Sequence, residues 1–175
     1  MDTAAKSTAS TARLSERELR AWRGLLRTHS YLSKALDADL EGEHGLPLTS
    51  YEVLLHLADA DDGKMRMHDL AERVLLSRSG LTRLVDRMER DGLIARETCE
   101  SDARGSFAVL TDAGKTKLAH ARGTHLAGIR ELFLDRFTPE ELDAIGDFWE
   151  RVLPAGCASA KDGGECGGGA AASCG

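Results

Sequence analysis

The sequence lacks long hydrophobic runs, and no segment approaches the about 20 consecutive apolar residues that a membrane-spanning helix requires. The first residues are rich in Ser, Thr and Ala, but they have no apolar core of the kind found in secretory signals. We therefore expect a cytoplasmic protein with no membrane partner, and we interpret residues 1–12 as a disordered arm.

Cysteine is scarce and unevenly placed. Cys99 stands alone in the body of the chain, whereas Cys157, Cys166 and Cys174 fall in a final segment rich in Gly and Ala. This spacing fits neither a disulfide framework nor the paired C-x-x-C of a structural zinc site. We interpret residues 154–175 as a flexible tail and expect neither a metal nor a cofactor. A thiol- or metal-responsive role for Cys99 or for the tail cysteines is kept as an alternative.

Catalytic motifs are also missing. The six histidines are scattered, and the sequence contains no H-E-x-x-H zinc motif, no nucleophile elbow and no glycine loop that cradles phosphate. The glycine run at 167–169 lies in the tail and opens no helix. We therefore do not expect an enzyme.

Positive charge is not in excess, since the formal net charge is −6. Its distribution is more informative than its total. Residues 37–62 carry eight acids and no Lys or Arg, whereas residues 64–110 carry nine bases against eight acids. The second segment is compatible with a nucleic-acid-binding face, although its charge alone does not predict one.

Hydrophobic periodicity predicts two helices before residue 60. Apolar residues at steps of three and four define a long helix over 13–41, which ends near Gly42 and Gly45. Thr49 and Glu52 have the spacing of a capping box, so we place the start of a short second helix there.

Two more short helices follow, joined by a tight connection. The first spans 67–74, and Arg66 stands where a capping Ser or Thr is expected. Ser77 caps the next helix, which ends at Gly92.

The second half of the sequence predicts a hairpin and two helices. Strands over 93–99 and 106–110 flank a polar tip. Thr111 opens a long helix, and Thr138, followed by Pro at the first helical position, opens the last one.

This order of elements predicts a mainly α fold with a small β-hairpin wing, that is, a winged helix-turn-helix with N- and C-terminal dimerisation helices. The outer helices are longer than so small a module needs, and their apolar stripes need another surface to cover them, for which a second subunit is the simplest candidate. The predicted organisation is a domain over 13–153, with the DNA-binding lobe at 49–110 and the dimerisation helices at 13–45 and 111–153.

The helix that begins near Ser77 has the composition of a DNA-reading helix. Only the N-terminal half of such a helix enters the major groove deeply, so its outer side must be thin and polar. Arg bonds guanine through two atoms, while Ser and Thr bond bases or phosphates. The candidate contacts to double-stranded DNA are Ser77, Arg78, Ser79, Thr82 and Arg83, with Arg87 one turn further to meet a phosphate or an internal acid.

The predicted hairpin tip carries a second candidate contact. Arg104 can enter the minor groove, where narrow A·T stretches have enhanced negative potential. Asp102 is expected to hold an Arg in place through a charge-assisted hydrogen bond, and Gly105 permits the turn.

Four segments together resemble the MarR/SlyA family of winged helix-turn-helix transcriptional regulators. They are His68–Arg73, Ser77–Arg96, Asp102–Gly105 and Leu110–Gly114. The resemblance implies homodimers built from the first and last helices, and binding to pseudo-palindromic operators. It also implies release by small lipophilic or phenolic ligands, with repression as the default. At matching positions it assigns major-groove reading to the helix residues named above and the wing contact to Asp102 and Arg104.

The resemblance also implies a small-molecule effector site where the dimerisation helices meet the lobe. Aromatic and imidazole groups in that region suit a planar acid or phenol. The candidates are Trp22, His29, Tyr51 and His56. Taken singly, each of them is more typical of a core, dimer or capping contact. A winged helix that binds a protein instead of DNA remains the alternative, since the charge of residues 64–110 is near neutral.

Overall fold

The computed structural model describes residues 13–60, 62–99 and 102–153. Its helices are α1 (Glu16–His44), α2 (Leu48–Ala58), α3 (Met67–Arg73), α4 (Arg78–Arg90), α5 (Asp112–Leu132) and α6 (Pro139–Val152), with a 3-10 turn over Leu134–Arg136. Its strands are β1 (Lys64–Arg66), β2 (Ile94–Cys99) and β3 (Asp102–Leu110). The predicted fold class, mainly α with a small β wing, is confirmed.

Three helices begin where a local side-chain cap was predicted. Ser77 accepts a hydrogen bond from the Gly80 N–H, and Thr111 accepts one from the Gly114 N–H. Thr138 forms a complete capping box at the start of α6, with proline at the first helical position. Such caps satisfy backbone N–H groups that have no partner within the helix, so they fix where each helix starts.

The predicted start of α2 is wrong. Thr49 does not cap this helix, which begins at Leu48 with Pro47 in the cap position, two residues before the predicted cap, and with no side-chain bond from Pro47. The Leu48 N–H instead donates to Asp37 Oδ1 of α1, at 2.8 Å. The first N–H group of α2, which has no partner within its own helix, is therefore bonded by a neighbouring helix. This bond links α1 to the lobe.

The sheet has one more strand than the predicted hairpin. β1 pairs antiparallel with β3, in register Lys64 to Val109 and Arg66 to Phe107, so the strand order is β1-β3-β2. β3 also begins at Asp102, earlier than the predicted 106. A strand of three residues has no periodicity of its own, and its existence depends on a partner far along the chain.

The hydrophobic core lies in the lobe, where α2, α3 and α4 pack together against the sheet. Its fully buried side chains include Leu54, Leu57, Leu70, Leu81, Val85 and Met88. Each contributes about 1.5–3 kcal/mol by leaving water. α1 buries only Leu40, and α6 buries no residue at all.

α1 and α5 meet closely, outside the lobe. A Cβ added at Gly128 of α5 would lie 2.8 Å from Leu36 Cδ2 of α1, so any larger residue would require the end of the Leu36 side chain to move. Nearby, Thr124 donates to Glu43 at 2.7 Å and its hydroxyl lies 2.8 Å from His44 Nε2. Within the residues that the structure describes, no helix is long and apolar enough to span a membrane.

Candidate nucleic-acid interface

The start of α4 is held by its own side chains. Ser77 Oγ accepts from the Gly80 N–H at 3.1 Å and lies 3.3 Å from Ser79 Oγ. A Cβ at Gly80 would itself meet Ser77 Oγ at 3.1 Å. The glycine therefore keeps room for the cap.

The two sides of α4 differ sharply. All six predicted contact residues are exposed: Ser77, Arg78, Ser79, Thr82, Arg83 and Arg87. The opposite side, with Leu81, Leu84, Val85 and Met88, is buried in the core. The helix thus presents the polar side on which the sequence analysis placed its DNA contacts.

The three arginines on this side are available for an external anion. Among the residues described, none of the Arg78, Arg83 and Arg87 guanidinium groups forms an ion pair with a carboxylate. The internal acid suggested for Arg87 is thus not seen in this part of the chain. Thr82 differs, because its hydroxyl donates to the Arg78 carbonyl oxygen at 2.8 Å. It can still accept a hydrogen bond from a base or a bound water.

The turn between α3 and α4 depends on an unusual leucine. Leu75 has a φ of 52° and is 88% exposed. The Leu76 N–H donates to the Ala71 carbonyl oxygen, and the Leu75 N–H to that of Glu72, which completes a Schellman motif at the end of α3. The position after the cap requires a left-handed backbone, which explains the positive φ of Leu75.

An arginine of the wing joins β2 to α4. Arg96 Nη2 lies 2.5 Å from Asp86 Oδ1 and 3.3 Å from the Thr82 carbonyl oxygen, while Nη1 lies 3.5 Å from Glu89 Oε2. We call these three contacts the Arg96 clamp. Sequence reasoning missed the clamp, because its partners come from an earlier element and no local spacing identifies them.

The base of the wing is basic and stacked. Arg66 of β1 lies with its guanidinium 5.0 Å from the centre of the Phe107 ring, and Lys64 lies 5.8 Å from it. The side chains at the tip fall outside the described part of the structure, so the roles of Cys99, Asp102 and Arg104 stay predictions. The arm at 1–12 and the tail at 154–175 also lie outside it.

The four candidate effector residues are not in one environment. Trp22 and His29 are exposed on α1, and Tyr51 is buried on α2. Tyr51 packs its ring on His125, with centroids 4.3 Å apart. Burial raises the pKa of Tyr51, and burial followed by the charge of Arg73 lowers the pKa of His56.

A shallow cleft lies between α1 and the start of α2. Its volume is about 230 Å³, and its lining residues are Ser33, Lys34, Asp37, Leu48 and Thr49. None of the four candidates lines this cleft. Pockets for small ligands usually have about 300–1,000 Å³, so the cleft in one subunit is smaller than a typical complete site.

Two short helices joined by a tight turn, followed by a three-stranded antiparallel sheet, define a winged helix-turn-helix protein. A family model described as the MarR family matches residues 44–105. The crystal structure of AbsC, a MarR family transcriptional regulator from Streptomyces coelicolor, is 37% identical, covers 81% of this chain and 95% of its own, and has a TM-score of 0.75. The chain therefore belongs to the MarR family of transcriptional regulators.

Two further relatives extend this comparison. Sco3205, a MarR family regulator from the same organism solved in complex with DNA, is 33% identical, covers 82% of this chain and 90% of its own, and has a TM-score of 0.78. The transcriptional repressor YetL of Bacillus subtilis is 30% identical over 112 residues, which are 62% of this chain and 66% of YetL.

Proposed function

We propose that this chain is a sequence-specific DNA-binding repressor that acts as a homodimer on a pseudo-palindromic operator. The observation that carries the proposal is the outer side of α4, where three arginines without a carboxylate partner in the described chain accompany the exposed Ser77, Ser79 and Thr82. A relative of similar fold, Sco3205, was solved with DNA, and another, YetL, is named a repressor.

The dimer is supported by apolar surface that one subunit leaves uncovered. Trp22 and Leu26 of α1 are 54% and 50% exposed, and Phe148 and Val152 of α6 are 53% and 73% exposed. Such surface on two long amphipathic helices is typical of a protein interface. Two-fold symmetry would place the two copies of α4 about 34–36 Å apart, in successive major grooves.

The effector is proposed to be a small lipophilic or phenolic molecule bound between the dimerisation helices and the lobe. The cleft between α1 and α2 lies in this region and is smaller in one subunit than a typical ligand site, and in the proposed dimer the second subunit would complete it. Titration with a panel of aromatic acids and phenols should weaken the binding of the chain to DNA. No response across the panel would contradict the effector proposal.

The DNA proposal is tested by selecting a preferred duplex from a random-sequence pool and titrating it with salt. Log affinity should fall by about 0.9 per contacted phosphate for each unit of log salt. Arg83→Ala should cost about 1–3 kcal/mol on the selected duplex and relax its sequence preference. Arg130→Ala, an exposed cation on α5, is the matched control.

The contrary outcomes are specific. If Arg83→Ala and Arg130→Ala bind equally well, α4 is not the reading helix. If no duplex is selected even at low salt, the winged helix binds a protein partner instead, which is the alternative that its near-neutral charge allows.

A further inference from the structure

We propose that Arg96 is a positioning residue for DNA recognition, because its guanidinium fixes the angle between the wing and α4. This inference rests on the proposed function and deepens it. Arg96 is assigned no contact to DNA. It would act by holding two DNA-contacting elements in the single arrangement that fits a duplex.

The argument begins with the number of attachments between β2 and α4. The turn that joins them is held at its α4 end by hydrogen bonds from the Gly92 and Leu93 N–H groups to carbonyl oxygens of the last turn of α4, and Ile94, the first residue of β2, is buried in the core. All of these contacts lie at or before the first residue of β2, so they do not fix the direction of the rest of the strand relative to α4. Arg96 lies further along β2, and the Arg96 clamp supplies a second attachment there.

The partners of Arg96 are placed to define a direction. Thr82, Asp86 and Glu89 lie at intervals of four and three residues, so they form one row along α4. The bond to Thr82 is to a main-chain oxygen, at 3.3 Å. A backbone acceptor cannot follow a side-chain rotation, so this bond fixes the strand to the helix itself.

The chemistry of arginine suits this task. Its planar fork donates in several fixed directions, whereas a lysine ammonium is a single point of charge. Arg96 is 29% exposed, and its carboxylate partners Asp86 and Glu89 are 47% and 38% exposed. Solvent weakens each ion pair at such exposure, so the geometry of the fork contributes more than the charge.

The clamp also contacts the side of α4 that is proposed to bind DNA. Thr82 is one of the proposed DNA contacts. Its carbonyl oxygen accepts a hydrogen bond from Arg96, and its hydroxyl donates one to the Arg78 carbonyl oxygen. The hydrogen bonds therefore run from the wing strand through Thr82 to the exposed N-terminal turn of α4.

The experiment compares the full chain with Arg96→Gln, Arg96→Lys and a triple variant, Arg96→Gln with Asp86→Asn and Glu89→Gln. Arg90→Gln is the matched control, since Arg90 bonds only a main-chain oxygen of its own helix in the described structure. Affinity is measured for the duplex selected by the wild-type chain and for an unrelated duplex, over a salt series. Hydrogen exchange of β2 and β3 is measured without DNA.

Arg96→Gln should lose at least about tenfold in affinity for the selected duplex and much less for the unrelated one, with an unchanged salt slope. Exchange at residues 94–97 should speed up at least about tenfold, because the second attachment is lost. Arg96→Lys should recover only part of both effects. The triple variant should recover neither, and Arg90→Gln should match wild type.

Three results would overturn the inference. A salt slope lower by about 0.9, with equal losses on both duplexes, would make Arg96 a phosphate contact. Recovery in the triple variant would reduce its role to neutralising two acids. If Arg96→Gln showed the same hydrogen exchange and the same DNA affinity as the wild-type chain, Arg96 would have no role in either property. If the wild-type chain selects no duplex, the proposed function fails and so does the DNA role, while the exchange data still decide whether the clamp orders the wing.

Discussion

At Gly114 the first turn of α5 comes closer to the base of the wing than any other side chain would allow. A Cβ there would lie 2.1 Å from the Leu93 carbonyl oxygen and 2.8 Å from Leu110 Cδ1. The Leu93 oxygen cannot withdraw freely, because it accepts from the Thr111 hydroxyl at 2.9 Å. Gly114→Ala should therefore lower the free energy of unfolding by about 3 kcal/mol, measured by urea denaturation.

Gly123, on the same helix, provides the control. A Cβ there would meet nothing within 4 Å, so Gly123→Ala should raise the free energy of unfolding by about 0.5–1 kcal/mol through helix propensity. If the two substitutions had the same sign, the close approach at Gly114 would not limit the fold.

α3 and α4 end in the same backbone motif, but the left-handed position is a leucine in one and a glycine in the other. α4 also ends in a Schellman motif, in which Gly92, at φ 74°, holds the place that Leu75 holds after α3. A left-handed backbone costs a residue with a Cβ about 1–2 kcal/mol, whereas glycine adopts it without this cost. The turn between α3 and α4 therefore carries backbone strain at Leu75, whereas the turn between α4 and β2 carries none at Gly92.

A reciprocal exchange tests this comparison. Leu75→Gly should raise the free energy of unfolding by about 0.5 kcal/mol, because strain relief exceeds the added entropy of the unfolded chain. Gly92→Ala should lower it by about 1 kcal/mol, although nothing lies within 4 Å of the added Cβ. Loss of stability in Leu75→Gly, seen by thermal denaturation, would show that the exposed leucine makes a stabilising contact.

The elements predicted from sequence are those whose signals are local. Ser77, Thr111 and Thr138 cap helices within three residues of themselves, so the cap and its helix are read in one window. The start of α2 depends on Asp37, which lies 11 residues earlier on another helix. β1 exists only through β3, and the Arg96 clamp spans 10 and 14 residues. Contacts of that kind leave no periodic or capping pattern.

The candidate site follows the same division. The exposed side of α4 was predicted because amphipathic spacing separates Arg83 from Leu84 in the sequence itself. The effector residues were not grouped by any such rule, and the structure places Tyr51 on His125 while leaving Trp22 exposed.

At the scale of the molecule, the apolar surfaces of α1 and α6 predict the behaviour of the chain in solution. Phe148→Glu places a charge in the uncovered stripe of α6 and should raise the dimer dissociation constant at least about tenfold, since a buried Phe is worth about 1.5–3 kcal/mol. Sedimentation velocity over a concentration series measures the shift. DNA affinity should fall with it, because one subunit can occupy only one half-site.

Asp147→Lys, at the exposed neighbouring position on the charged side of α6, is the control and should leave the dissociation constant unchanged. A wild-type chain that sediments as a monomer at all concentrations would contradict the homodimer. In that case the apolar stripes of α1 and α6 would be expected to bind a different partner.

α1 is one uninterrupted helix of 29 residues, about 44 Å long, and its N-terminal half, as far as Tyr31, is largely exposed in its own subunit. Its far end supports the lobe through Leu40 and through the Asp37 bond to α2. A helix of this kind resists bending, so it behaves as a lever whose short arm carries the DNA-reading module. A small tilt imposed on the long arm would be delivered to α2 as a change in the orientation of the whole lobe.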